Sequence, residues 1–141
     1  MRHRRNWRPP RNRNRNDPMS ILYIEDTENN QILVRRRLQR AGYTVDIVET
    51  GEEGLTRARS DPPELILLDM GLPDIDGWEV VRRIREDSQL KDLPVIAITA
   101  HAMSGDRERC LEAGCDEYET KPFDFPSLLE KVAALLDPTR A

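Results

Sequence analysis

Five residues have side chains and positions suited to phosphoryl chemistry: Glu25, Asp26, Asp69, Thr99 and Lys121. Each follows a short apolar or β-forming run. Glu25-Asp26 follow residues 21–24, Asp69 follows 65–68, Thr99 follows 95–98, and Lys121-Pro122 follow a weaker run near 115–118. Three carboxylates at close quarters repel one another unless a cation or proton intervenes. Oxygen-only ligands suit a hard ion, and Mg²⁺ takes one or two carboxylates, a backbone carbonyl and several waters. A lysine ammonium and a threonine hydroxyl are donors for an oxyanion. Together these groups can move a phosphoryl group onto a carboxylate, with the cations neutralising its equatorial oxygens. Each residue also has an ordinary reading. Asp26 can cap a helix, Asp69 can be a turn acid, Thr99 can be a plain strand former, and Glu25 and Lys121 can be surface charge. Their joint placement at strand ends favours the chemistry.

The elements that must hold these residues alternate along the chain. Residues 65–68 and 95–98 are apolar throughout, as in strands buried on both faces of a parallel sheet. Residues 45–48 alternate, as at a sheet edge. Helical spacing occupies 28–41 (Val34, Leu38, Ala41), 51–60, 77–88 (Trp78, Val81, Ile84), 103–113 and 125–136. Asp76 is placed to cap the third helix, Gly114 to end the fourth, and Asp137-Pro138 to stop the fifth. Five β-α units imply an α/β fold: a doubly wound, five-stranded parallel sheet with helices on both faces. Ligands of such sheets sit at the carboxyl ends of the strands, where the five residues lie.

Charge divides the chain. Residues 1–16 hold seven Arg and no acid. Removing those seven from the 22 Lys and Arg leaves 15 against 26 Asp and Glu, a net of −11 for residues 17–141. An acidic body disfavours nucleic acid or an anionic membrane as its main partner. Residues 1–18 read as a disordered Arg/Asn-rich tail: a binding arm, a passive extension, or translated leader before Met19. No apolar run approaches the ~20 residues of a membrane helix, and the cationic N-terminus lacks the apolar core of a secretory signal. Cys110 and Cys115 suit neither a disulfide framework nor a zinc site; two reduced thiols fit a cytoplasmic protein.

The motifs match a known family. Ile24-Glu25-Asp26, Leu68-Asp69-Met70-Gly71-Leu72-Pro73-Asp74-Ile75-Asp76-Gly77, Ile98-Thr99-Ala100 and Tyr118-Glu119-Thr120-Lys121-Pro122-Phe123 occur in order. Asp69 lies 43 residues after Asp26, Thr99 30 after Asp69, and Lys121 22 after Thr99. Residues 19–138 resemble the receiver domain of two-component response regulators, and are most similar to single-domain chemotaxis and cell-cycle or polarity phosphorelay receivers. The resemblance implies the flavodoxin-like strand order 2-1-3-4-5. It implies Asp69 as phosphoacceptor, and Mg²⁺ held by Asp26, Asp69 and the Gly71 carbonyl, with Glu25 acting through a metal-bound water. Thr99 and the Ala100 amide would hold phosphoryl oxygens, Lys121 would pair with another, and the Lys121-Pro122 bond would be cis. Thr99 and Tyr118 would form the switch that reshapes the face of the fourth helix, fifth strand and fifth helix. Gly71 and His101 occupy the positions that tune dephosphorylation; Gly71 offers no side chain, and His101 reads equally as an exposed loop residue.

The partners implied are a histidine kinase or histidine phosphotransferase and a downstream protein. No DNA-binding domain or membrane segment is expected in the chain, and it would be a monomer or weak dimer. It would be a phosphoacceptor rather than an enzyme, catalysing only its own phosphorylation and dephosphorylation. Other readings are a receiver fragment of a hybrid histidine kinase and an Asp-nucleophile Mg²⁺ phosphohydrolase, although the latter's usual general acid position is here Gly71. A flavin or nucleotide binder is disfavoured because the loop Glu25-Asp26-Thr27-Glu28-Asn29 is anionic and has no glycine to cradle phosphate.

Overall fold

A computed structural model describes residue 7 and residues 18–100 and 106–136. Ten elements alternate: β1 (Ser20–Ile24), α1 (Glu28–Arg40), β2 (Thr44–Val48), α2 (Gly51–Ser60), β3 (Leu65–Asp69), α3 (Gly77–Glu86), β4 (Val95–Thr99), α4 (Asp106–Ala113), β5 (Glu117–Thr120) and α5 (Phe125–Leu136). The sheet is wholly parallel with the order β2-β1-β3-β4-β5, the doubly wound arrangement expected. The apolar runs of β1, β3 and β4 are the buried strands, and alternating β2 lies at the edge.

Strand alternation divides the core between two faces. On one, Ile21, Tyr23, Leu65, Leu67, Ile96 and Ile98 pack against Val34 and Leu38 of α1 and Leu128, Val132 and Leu136 of α5. On the other, Leu22, Ile24, Ile66, Leu68, Val95 and Ala97 pack against α2, α3 and Cys110 of α4.

Local chemistry sets the helix ends. Thr50 accepts from Glu53 N at 3.1 Å and caps α2; Asp76 accepts from Glu79 N at 2.9 Å and caps α3. Gly114 ends α4 at φ +115°, where a side chain would strain the backbone, and Cys115 N–H returns to the Cys110 carbonyl. Gly77 lies so close to Met70 that an added Cβ would sit 2.6 Å from its Cα, so α3 starts hard against the loop that follows Asp69.

Some boundaries differ from the sequence expectation. α3 stops at Glu86 rather than residue 88, because Asp87 turns extended and accepts from Gln89 N at 2.8 Å. α1 stops at Arg40, with Ala41 exposed as its C-cap. β5 begins at Glu117, later than its weak apolar run. The expected starts of α4 at 103–105 and the Asp137-Pro138 stop lie outside the described residues. Within the Arg-rich segment, Trp7 is half-buried against the α2/α3 core cluster, and its indole N–H donates to the Pro63 carbonyl at 2.9 Å.

Candidate functional site

Strand register assembles the site. Ile24 pairs with Leu68, so Glu25 and Asp69 leave adjacent strands side by side. Asp69 pairs with Ile98 and Thr99 with Thr120, which brings Thr99 and Lys121 to the same end. The Lys121 N–H continues the ladder to the Thr99 carbonyl at 2.8 Å, and the Lys121-Pro122 bond is cis. Asp26, Asp69, Gly71, Thr99, Ala100 and Lys121 line one cleft of about 680 Å³, together with Met70, Trp78, Asp106 and Arg109.

Glu25, Asp26 and Asp69 each place a carboxylate oxygen within 4.8 Å of the others. Glu25 is fully buried and Asp69 nearly so, whereas Asp26 is exposed. Two ordinary readings therefore end: Glu25 is not a solvated acid, and the N-cap of α1 is Thr27 rather than Asp26. Lys121 Nζ bridges two of the three, 3.2 Å from Glu25 Oε1 and 3.4 Å from Asp69 Oδ2. Asp69 Oδ1 also accepts from Gly71 N at 3.1 Å. One ammonium among three carboxylates leaves net negative charge in a partly dehydrated place. An all-oxygen set at this spacing fits a hard divalent cation such as Mg²⁺.

Glu25 is held from several sides. Its Oε1 accepts from Tyr23 Oη at 2.9 Å and Asn30 Nδ2 at 3.4 Å, and its Oε2 accepts from Thr27 N at 3.1 Å. Burial, reinforced by the neighbouring Glu25 charge, pushes the Tyr23 phenol far above its usual range, so its proton stays in place to donate.

Tyr118 is half-buried against the α2/α3/α4 cluster, and its carbonyl accepts from Lys131 Nζ at 2.6 Å. Burial and then the charge of Asp106 raise its phenol. His101 lies outside the described residues. Three features of the site go beyond the residues singled out from the sequence. The Arg109 guanidinium stacks 4.1 Å from the Trp78 ring centroid at the cleft, and Asp106 joins the lining; both depend on how α3 meets α4. Tyr23 had a readable signal: a tyrosine inside a strand buried on both faces needs a hydrogen-bond partner, and Glu25 at i+2 shares its face.

Residues 21–133 match the family model for the response regulator receiver domain. The chain is 40% identical over 119 residues to the polar-differentiation response regulator DivK of Brucella anthropi, covering 84% of this chain and 97% of that one. Among solved structures, a response regulator from Chloroflexus aurantiacus superposes with a TM-score of 0.81 at 30% identity, covering 84% of this chain and 98% of the other. The receiver domain of a sensor histidine kinase from Pseudomonas aeruginosa, solved with a magnesium ion coordinated in its active site cleft, superposes with a TM-score of 0.78 at 35% identity, again covering 84% and 98%. Sheet order, acidic cleft and these likenesses agree: the chain belongs to the receiver-domain family of two-component response regulators.

Proposed function

We propose that this chain accepts a phosphoryl group on Asp69 from a phosphohistidine of a kinase or phosphotransferase, with Mg²⁺ bound, and passes the signal on by changing a protein partner. The observation that carries this reading is the under-neutralised carboxylate trio, with Asp69 at its base and Lys121 bridging Asp69 to Glu25.

Asp69 supplies the nucleophilic oxygen. The attack forms an acyl phosphate on that oxygen as the bond from phosphorus to the donor nitrogen breaks, and the electron pair leaves with the imidazole. Lys121 swings its ammonium from the carboxylate pair to an equatorial phosphoryl oxygen. The Thr99 hydroxyl and Ala100 amide take the others at the cleft rim. Asp26, Asp69 and the Gly71 carbonyl would hold Mg²⁺, with Glu25 acting through a water. When bound, the ion would supply charge neutralisation for the phosphoryl transfer.

Phosphorylation draws Thr99 inward, and Tyr118 on the neighbouring strand follows. The face of α4, β5 and α5 is then biased between two arrangements. Its identity with a polar-differentiation regulator and with a kinase receiver domain favours a phosphorelay over a hydrolase, and Gly71 stands where a hydrolase needs its second acid. No helix among the described residues is long and apolar enough to cross a membrane.

The test is incubation with acetyl phosphate and Mg²⁺ followed by intact-protein mass measurement. One phosphoryl adduct is expected, absent in Asp69→Asn and absent when Mg²⁺ is chelated. A folded protein that takes no adduct from acetyl phosphate or phosphoramidate refutes the reading.

A further inference from the structure

Tyr23 is the largest fully buried side chain among the described residues. It lies inside β1, a strand paired on both sides, and its ring packs in the α1/α5 core cluster among Val34, Leu38 and Ile98. Phenylalanine would bury the same ring without a polar atom. A hydroxyl in such a place costs stability unless it is hydrogen-bonded, and here it has one partner: Glu25 Oε1 at 2.9 Å, in a bond that is itself buried. Glu25 follows the last residue of β1, two positions after Tyr23, and its N–H still bonds the Val48 carbonyl at 3.0 Å, so the two side chains share a face at the end of the strand.

We propose that Tyr23 is a positioning residue of the cation site, orienting the Glu25 carboxylate toward the bound Mg²⁺ or its water. The proposal rests on the phosphoacceptor reading of the trio. A glutamate has one more rotatable bond than an aspartate, so a buried Glu25 needs more to hold it. Thr27 N fixes Oε2, and Tyr23, Asn30 and Lys121 converge on Oε1. These donors differ in kind. Lys121 neutralises the carboxylate, and it must leave when it turns to a phosphoryl oxygen. Tyr23 is neutral and fully buried, so it keeps Glu25 aimed after Lys121 departs and leaves its negative charge for the cation. Hydrogen bonds from groups behind the ligands commonly set metal affinity by 10- to 100-fold.

The experiment is calorimetric titration of the full chain with Mg²⁺. Tyr23→Phe is expected to weaken binding about tenfold, with the adduct from acetyl phosphate recovered at saturating Mg²⁺. In a Glu25→Gln background the same change should have no further effect on Mg²⁺ affinity. Ile96→Val, a conservative cut in the same apolar cluster, should leave Mg²⁺ affinity as it is. A Tyr23→Phe affinity within twofold of the parent overturns the proposal, as does an equal loss in Ile96→Val. Asp26→Asn separates the two levels of argument. If it abolishes Mg²⁺ binding while Tyr23→Phe does nothing, only the role of Tyr23 falls. If Asp26→Asn leaves Mg²⁺ binding intact, the cation site itself is misassigned.

Discussion

Buried carboxylates gather at both ends of the sheet, and the two groups are finished differently. At the amino end, Asp116 is 3% exposed and meets Arg85 Nη2 at 3.1 Å and Val95 N at 2.9 Å. The same guanidinium donates to the carbonyls of Gly114, Lys91 and Leu93 at 2.7–3.0 Å. One planar cation thus satisfies a carboxylate and three backbone oxygens, tying α3 to the starts of β4 and β5. At the carboxyl end, the Lys121 ammonium lies within 4 Å of Glu25 and Asp69, and Asp26 joins these two carboxylates without an ion pair of its own among the described residues. The closed cluster is architecture, because every charge has its complement within the chain. The open one holds more carboxylates than cations among the described residues, the imbalance on which the proposed cation site rests.

Breaking the closed cluster should produce the largest effect on stability. Arg85→Met keeps the side-chain length but takes the guanidinium from buried Asp116, which retains the Val95 N–H, and three carbonyls lose donors. Removing one partner of a buried pair costs about 3–5 kcal/mol, and urea unfolding should show a loss of that order. Magnesium affinity of the folded fraction should stay close to the parent's, since the sheet separates the two clusters. A loss below 1 kcal/mol would mean that Asp116 is easily rehydrated and the contrast between the ends is wrong.

Completing the open cluster should show next. Mg²⁺ at a hundredfold excess over its dissociation constant should stabilise the protein by about 2.7 kcal/mol, and Asp69→Asn should remove most of that gain. Without metal, Asp69→Asn should melt no lower than the parent, because it relieves repulsion among like charges. Thermal melts with and without Mg²⁺ decide this. A metal-free Asp69→Asn that melts well below the parent would make Asp69 a structural acid like Asp116.

The sequence was informative about these ends to different degrees. Apolar runs ending in acids located the open cluster, because in a parallel sheet the last residue of each strand emerges at one rim. β-α alternation pointed to a parallel sheet, and the strand order came with the family resemblance. The closed cluster was not legible. Arg85 reads as one of several helix charges on α3, and its role depends on α3 lying across the 114–116 turn. β5 was faint for a similar reason: its Glu119 is buried against Lys131 Nζ at 3.0 Å and Ser127 Oγ at 3.3 Å, partners supplied by α5 and invisible in a strand's own pattern. The Tyr23–Glu25 bond was legible in principle, the Arg109–Trp78 stack was not, and Trp7 on Pro63 joins segments 56 residues apart.

A third ion pair calibrates the contrast at its weak end. Arg59 Nε meets Asp87 Oδ2 at 2.7 Å across α2 and the end of α3, but the arginine is 47% exposed. Water and salt already screen such a pair, so Arg59→Ala should cost under about 1 kcal/mol, far less than Arg85→Met. The pair still has a pH signature. The Arg59 hydrogen bond, reinforced by the backbone amide of Gln89, holds the Asp87 carboxyl below its usual value despite burial. A carboxyl depressed in the folded state contributes stability above its unfolded value, and that contribution is lost as pH falls through the lower, folded value. The parent and Arg59→Ala should therefore differ most near neutrality and converge on acidification, with the gap closing only below the ordinary aspartate range. Urea midpoints from pH 7 to pH 2 test the sign. A gap that stays constant down to pH 2 would mean that Arg59 acts through packing of its aliphatic stem, which carries no pH dependence.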